Sequence, residues 1–231
     1  MMARRNVLAS LGGGFLALLG GCGVFGSTYR YRYKMTVKVV TPEGLRTGSA
    51  VHEQIVSKSN VDLGELSGKR GMRTRGEAVA VDLPGGQTLF ALIPDSEVAQ
   101  AALDPEWHND WVESARRISG RETPQGPLAI MVGKQTIQFA KLSPMLVRFR
   151  DIADSKSVEQ VDPGDLANSF GPGYRLASLT VQVTDEPVTT GIEKRLPSFG
   201  AGSGFDAWYR SLPYGDPHRV ALDDFRKGTM N

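Results

Sequence analysis

Residues 29–40 read Tyr-Arg-Tyr-Arg-Tyr-Lys-Met-Thr-Val-Lys-Val-Val, and no other stretch limits the fold as strongly. Tyr29, Tyr31, Tyr33, Met35, Val37 and Val39 alternate with Arg30, Arg32, Lys34, Thr36 and Lys38. Alternate side chains of a strand leave by opposite faces, so a period of two held this long predicts a β-strand with one face in a core and a basic face outside. A sheet must follow.

The next segments supply it. Turn residues in Thr-Pro-Glu-Gly-Leu-Arg-Thr-Gly-Ser (41–49) predict a return through Ala-Val-His-Glu-Gln-Ile-Val-Ser-Lys (50–58), which makes a hairpin. Val79, Val81 and Leu83 alternate ahead of Pro84-Gly85-Gly86, and the apolar run Leu89 to Ile93 follows. That run predicts a central strand covered on both faces. Between the hairpins, Ser-Gly-Lys-Arg-Gly-Met-Arg-Thr-Arg-Gly (67–76) reads as an exposed basic loop. Short strands are expected in 126–133 and 144–151, and Ala177, Leu179, Val181 and Val183 mark another long one. Asp162-Pro163-Gly164-Asp165 and Gly171-Pro172-Gly173 are turn signals.

One helix interrupts this pattern. Asp104-Pro105 fits a cap and first turn, and Trp107, Trp111, Ala115 and Ile118 share a face, so a helix is expected over Pro105–Ser119. Past Phe199 a flexible glycine-serine link and a polar segment predict a tail that docks loosely or stays partly disordered, with one short helical piece around 205–212. The fold class is therefore mainly β: a two-sheet sandwich of immunoglobulin-like or transthyretin-like form, with one inserted helix and a short C-terminal helical tail. The expected divisions are a leader over 1–21, a tether over 22–28, a β-rich domain over 29–199, and a link and tail over 200–231.

The leader sets location. Arg4 and Arg5 precede an apolar segment of residues 7–19, diluted by Gly12 to Gly14 and followed by small residues. A bilayer-spanning helix needs about 20 apolar residues, so this segment reads as a removable export signal. The paired arginines leave the general and the twin-arginine export routes both open. Leu19-Gly20-Gly21-Cys22 resembles the lipobox of bacterial lipoproteins, and Cys22 is the chain's only cysteine. The resemblance implies cleavage between Gly21 and Cys22, a diacylglycerol on the Cys22 thiol and a further acyl chain on its amine. Two or more chains hold a protein durably at a bilayer where one does not. By resemblance to enterobacterial sorting, Gly23 favours the outer membrane over the inner. The segments 31–44, 76–83, 144–151, 157–173 and 180–197 are similar to a set of proteobacterial lipoproteins and small exported proteins, a likeness that implies no particular activity or site residue.

Charge narrows the partners. Of 27 lysines and arginines, Arg4 and Arg5 precede Cys22, so 25 basic residues meet 25 acidic ones in the remainder. No concentrated basic footprint is left for nucleic acid. The basic face of the first strand, Arg30, Arg32 and Lys34, reads either as a solvated sheet face or as a surface for anionic lipid head groups beside the anchor.

Reactive patterns are sparse. A single cysteine excludes an internal disulfide and a cysteine-built zinc site. Ala201-Gly202-Ser203-Gly204-Phe205 lacks the outer glycines of a serine nucleophile elbow. His52, His108 and His218 are widely spaced, and the acids around His108 (Asp104, Glu106, Asp110, Glu113) fit a solvated helix face better than a metal site. Asp185-Glu186 and Asp223-Asp224 are neighbours whose side chains point apart. The expectation is a membrane-anchored, periplasm-facing lipoprotein that binds or scaffolds another envelope protein, without catalysis or cofactor and with no oligomeric state assigned. Its rival is an envelope hydrolase assembled from dispersed residues such as His52, His108 and Asp110. A domain that only spaces or shields is the third alternative.

Overall fold

A computed structural model of the protein describes residues 26–59, 70–108, 110–130, 144–196, 205–216 and 218–228. Strands β1 (Gly26–Thr41) and β2 (Gly44–Ser59) form one long antiparallel hairpin, turning on Pro42 and Glu43. The strand thus starts three residues before Tyr29, inside the expected tether. Tyr31, Tyr33, Met35, Val37 and Val39 are all buried, so the period-two pattern sets this face as the sequence indicates. Each such side chain contributes about 1.5–3 kcal/mol by leaving water.

The chain continues through β3 (Arg70–Glu77), β4 (Val79–Asp82), β5 (Thr88–Ala91), β6 (Leu128–Ala129), β7 (Leu146–Phe149), β8 (Val158–Val161), β9 (Arg175–Val183) and β10 (Arg226–Lys227). Two antiparallel sheets result, ordered β10-β3-β2-β1-β9-β6 and β4-β5-β7-β8. The protein is mainly β, with two sheets packed as a sandwich. Strands β3 and β4 are consecutive but belong to different sheets, and the corner falls at Ala78, whose N–H goes to the Phe225 carbonyl. The sheets approach closely at Gly48, where a Cβ would lie 2.1 Å from the Ala80 carbonyl oxygen. Only glycine fits there.

Segment 70–77 is a strand, not the exposed loop expected of its glycines and arginines. Pairing with β2 from Lys58↔Arg70 to Glu53↔Arg75 satisfies its backbone, while only Met72 and Thr74 turn inward. Ala177 is exposed, because a register shift beside Val39 precedes the regular alternation of Leu179, Val181 and Val183.

Two helices replace the single expected one: α1 (Ser96–Leu103) and α2 (Trp111–Ser119). Asp104 ends α1, giving its N–H to the Gln100 carbonyl, so it cannot also open the next helix. Asp110 opens α2 instead, its Oδ1 accepting from the N–H groups of Val112 (3.1 Å) and Glu113 (3.2 Å). Both helices pack on the inner face of the first sheet, as does the short α3 (Leu166–Phe170) against β9.

The run after Gln87 behaves as its apolarity predicts. Strand β5 is central, with Leu89 and Ala91 facing the first sheet's core and Phe90 and Leu92 facing a second core. That second core is closed by the C-terminal segment. Phe205 in α4 (Phe205–Ser211), Val220, and Phe225 in α5 (Leu222–Phe225) are buried there, and β10 pairs with β3. Residues 205–216 and 218–228 are therefore an integral layer, in place of the expected loose tail. Three aromatic side chains, Phe90, Phe149 and Phe225, meet with centroids 5.7–5.9 Å apart and supply the reason.

Candidate functional site

The β1–β2–β3 register places two rows side by side on the outer face of the first sheet: Arg30, Ile55 and Arg73, then Arg32, Glu53 and Arg75. Glu53 is only 1% exposed because three guanidinium groups cover it. Arg32 Nε and Arg75 Nη1 each donate to its carboxylate at 3.3 Å, and Arg30 Nη1 stands 3.8 Å away. The arginines themselves keep 59% (Arg30), 40% (Arg32) and 46% (Arg75) of their side chains in solvent. One buried carboxylate therefore organises three outward cations and neutralises one.

After β9 the chain crosses this outer face. Thr184 donates its N–H to the Arg32 carbonyl, and Thr189 exchanges bonds with Val51. Gly191 and Ile192 then donate to the Glu77 carboxylate at 3.0 and 2.8 Å. Burial pushes the Glu77 carboxyl upward, and those two N–H bonds oppose the shift. The crossover brings its own acids: Lys34 Nζ bonds both Glu186 oxygens (2.9 and 3.0 Å), and Arg121 pairs with Asp185. Of the three cations expected to form a basic surface, Arg30 and Arg32 belong to the cluster while Lys34 is paired apart from it. Arg75 and Glu53 are the members that sequence reasoning missed. A turn centred on Pro42-Glu43 would have placed Glu53 opposite Arg32.

The dispersed residues of the rival hydrolase do not share a site. His52 is fully buried on the inner face, stacked on Tyr33 with centroids 5.0 Å apart. Its Nε2 lies 2.8 Å from the Glu77 carbonyl, so that nitrogen carries the proton and Nδ1 is a bare acceptor. Burial lowers its pKa to about 4, which keeps the ring neutral near pH 7. His108 and Asp110 are instead exposed, and the Asp110 carboxylate is spent on capping α2. No cluster of three or more His, Cys, Asp or Glu side chains suited to a metal occurs among the described residues.

Around His52 lies an unusual buried floor. Tyr31, Tyr33, His52 and Gln54 form a two-by-two block on β1 and β2 beneath the helices. Tyr31 Oη, Tyr33 Oη, His52 Nδ1, Gln54 Nε2, Gln100 Oε1 and Ser114 Oγ are buried and find no hydrogen-bond partner among the described residues. Burial drives both phenols upward; at Tyr31 the neighbouring Tyr33 and Asp104 add to the rise and the Gln100 side chain opposes it. Separately, a cleft of about 240 Å³ opens at the end of the second sheet between the Gly85-Gly86 turn and Arg150-Asp151, floored by Phe90 and Phe149.

Comparison with protein-family models, with curated proteins and with solved structures gives no match. Among the described residues no helix is long and apolar enough to cross a membrane. Gly21 and Cys22, the expected cleavage and acylation positions, lie outside the described residues.

Proposed function

We infer that the protein is an envelope lipoprotein, acylated at Cys22, facing the periplasm and favouring the outer membrane, whose β sandwich serves as a non-catalytic binding or scaffolding module. The observation that carries this reading is the position of Cys22. The sole cysteine follows a short apolar segment that ends in Leu-Gly-Gly, and only residues 23–25 separate it from β1. A sandwich begun so soon after the thiol would be held within a few residues' reach of the bilayer. The polar groups fit the reading: His52 is sealed, Asp110 is a cap, and the arginines of β1 are organised by Glu53. A partner from the envelope would add at a sheet edge such as β8, with whose far side no strand pairs among the described residues.

Mass spectrometry of the protein from its native host is the test. An N-terminal peptide beginning at Cys22 and carrying acyl chains is expected. An intact leader or a free thiol there would overturn the reading. Crosslinking at native expression should then recover one reproducible envelope partner, and a protein that stays alone would remove the scaffolding role.

A further inference from the structure

The outer face of the first sheet is unevenly charged, and its boundary is drawn by the crossover after β9. On the Gly26 side of that crossover stand Arg30, Arg32, Arg73 and Arg75, with Glu53 as the one carboxylate among them within the described residues. Neighbouring strands are about 4.8 Å apart, so four guanidinium groups share a patch roughly 10 Å across. Glu53 takes one donor from Arg32 and one from Arg75, while Arg32 Nη1 also reaches the Asp185 and Glu186 carbonyls (3.4 and 3.5 Å) and Arg75 Nε the Gly228 carbonyl (3.3 Å), which leaves the Nη2 groups of both and the largely exposed Arg30 guanidinium for a ligand. Such forks suit phosphate oxygens. Lys34 is excluded, since Glu186 already occupies it.

The length of chain before β1 says what meets this patch. From Cys22 to Gly26 the chain reaches at most about 14 Å, and Arg30 lies about 13 Å further along the strand. A thiol fixed in a bilayer therefore keeps the patch within reach of the surface, and a face of this charge is drawn toward anionic lipid within a Debye length of about 8 Å. We propose that Arg30, Arg32 and Arg75, set in place by Glu53, together with Arg73 on β3 lie against the bilayer and take the phosphates of anionic lipid head groups. This orientation rests on acylation at Cys22. It turns the second sheet and the Gly85–Arg150 cleft away from the membrane.

The full-length lipidated protein carrying Ser57→Cys, an outer-face position on β2 beside the patch, would be spin-labelled and reconstituted in phosphatidylglycerol or phosphatidylcholine vesicles. One label per chain means that Cys22 is blocked, whereas two labels mean that the anchor reading itself has failed. With one label, access of a water-soluble relaxation agent should drop in phosphatidylglycerol, return in high salt and stay high in phosphatidylcholine. A label on Gln160→Cys in β8 should stay accessible throughout. Arg30→Gln, the most exposed of the three cations around Glu53, should lower the docked-to-free ratio about five-fold. Equal access at Ser57→Cys in both lipids, or no effect of Arg30→Gln in a variant of unchanged circular dichroism, would overturn the orientation while leaving the anchor intact. Inorganic phosphate releasing the face more strongly than chloride at matched ionic strength would assign the patch to free phosphate and overturn it as well.

Discussion

His52 shows how much one side chain can tie to pH. Its ring is neutral in the fold, with a pKa of about 4, and takes a proton near 6.5 once unfolded. The unfolded chain thus binds more protons between those values, and stability falls as pH drops from 6.5 toward 4. Chemical denaturation at pH 7.5 and pH 5 should differ by about 2 kcal/mol through this residue, a difference that His52→Gln abolishes. An unchanged pH slope in the variant would disprove the assignment. Tyr33 gives the opposite kind of test. Its hydroxyl is buried with no hydrogen-bond partner among the described residues, so Tyr33→Phe removes a desolvation cost and should leave stability unchanged or raise it by about 1 kcal/mol. A loss of similar size would show that the hydroxyl is bonded after all. Glu53, by contrast, is buried beneath cations that accept its charge, which is why a carboxylate can sit at that depth.

At the scale of elements, alternation made β1 and β9 legible because their two faces differ in chemistry, and an unbroken apolar run did the same for β5, which is covered on both faces. Strand β3 hides from such reading. Its inward residues are Met72 and Thr74, and Thr74 gives its hydroxyl proton to Gln54 rather than packing as a hydrophobe. The strand is imposed by its neighbour. The split between α1 and α2 is visible only in hindsight, since Asp104-Pro105 suits a helix end as well as a start, and Val98, Ala99 and Leu103 carried the missed signal. The arginine cluster was half legible for a related reason: its β1 members alternate, whereas Glu53 and Arg75 join through register. Asp110→Ala should cost about 1 kcal/mol in thermal or denaturant unfolding by uncapping α2, and Asp110→Asn should restore most of it. Gly48→Ala forces a Cβ against the Ala80 carbonyl, so β2 and β4 must part. A loss of several kcal/mol is expected there, of order 3, and a variant with native Tm would show that the sheets can give way.

For the whole molecule, the second core is the element that composition concealed. Phe205, Val220 and Phe225 lie far apart in a polar segment with no period, yet they cover Phe90, Val147 and Val158. Deleting residues 205–228 should bare that face of the second sheet. Such a chain is expected to bind a hydrophobic dye and lose its cooperative transition, readable by fluorescence and calorimetry. Retention of a sharp transition would mean that the first core suffices.

That same closure carries a consequence in time. Ala78 hands its N–H to Phe225, and β3 waits for β10, so partners nearly 150 residues apart must meet before the corner between the sheets is secured. A chain threading N-terminus first through a narrow exit would present a sticky, half-finished sheet until its final stretch emerged. Long-range closure of this kind is slow.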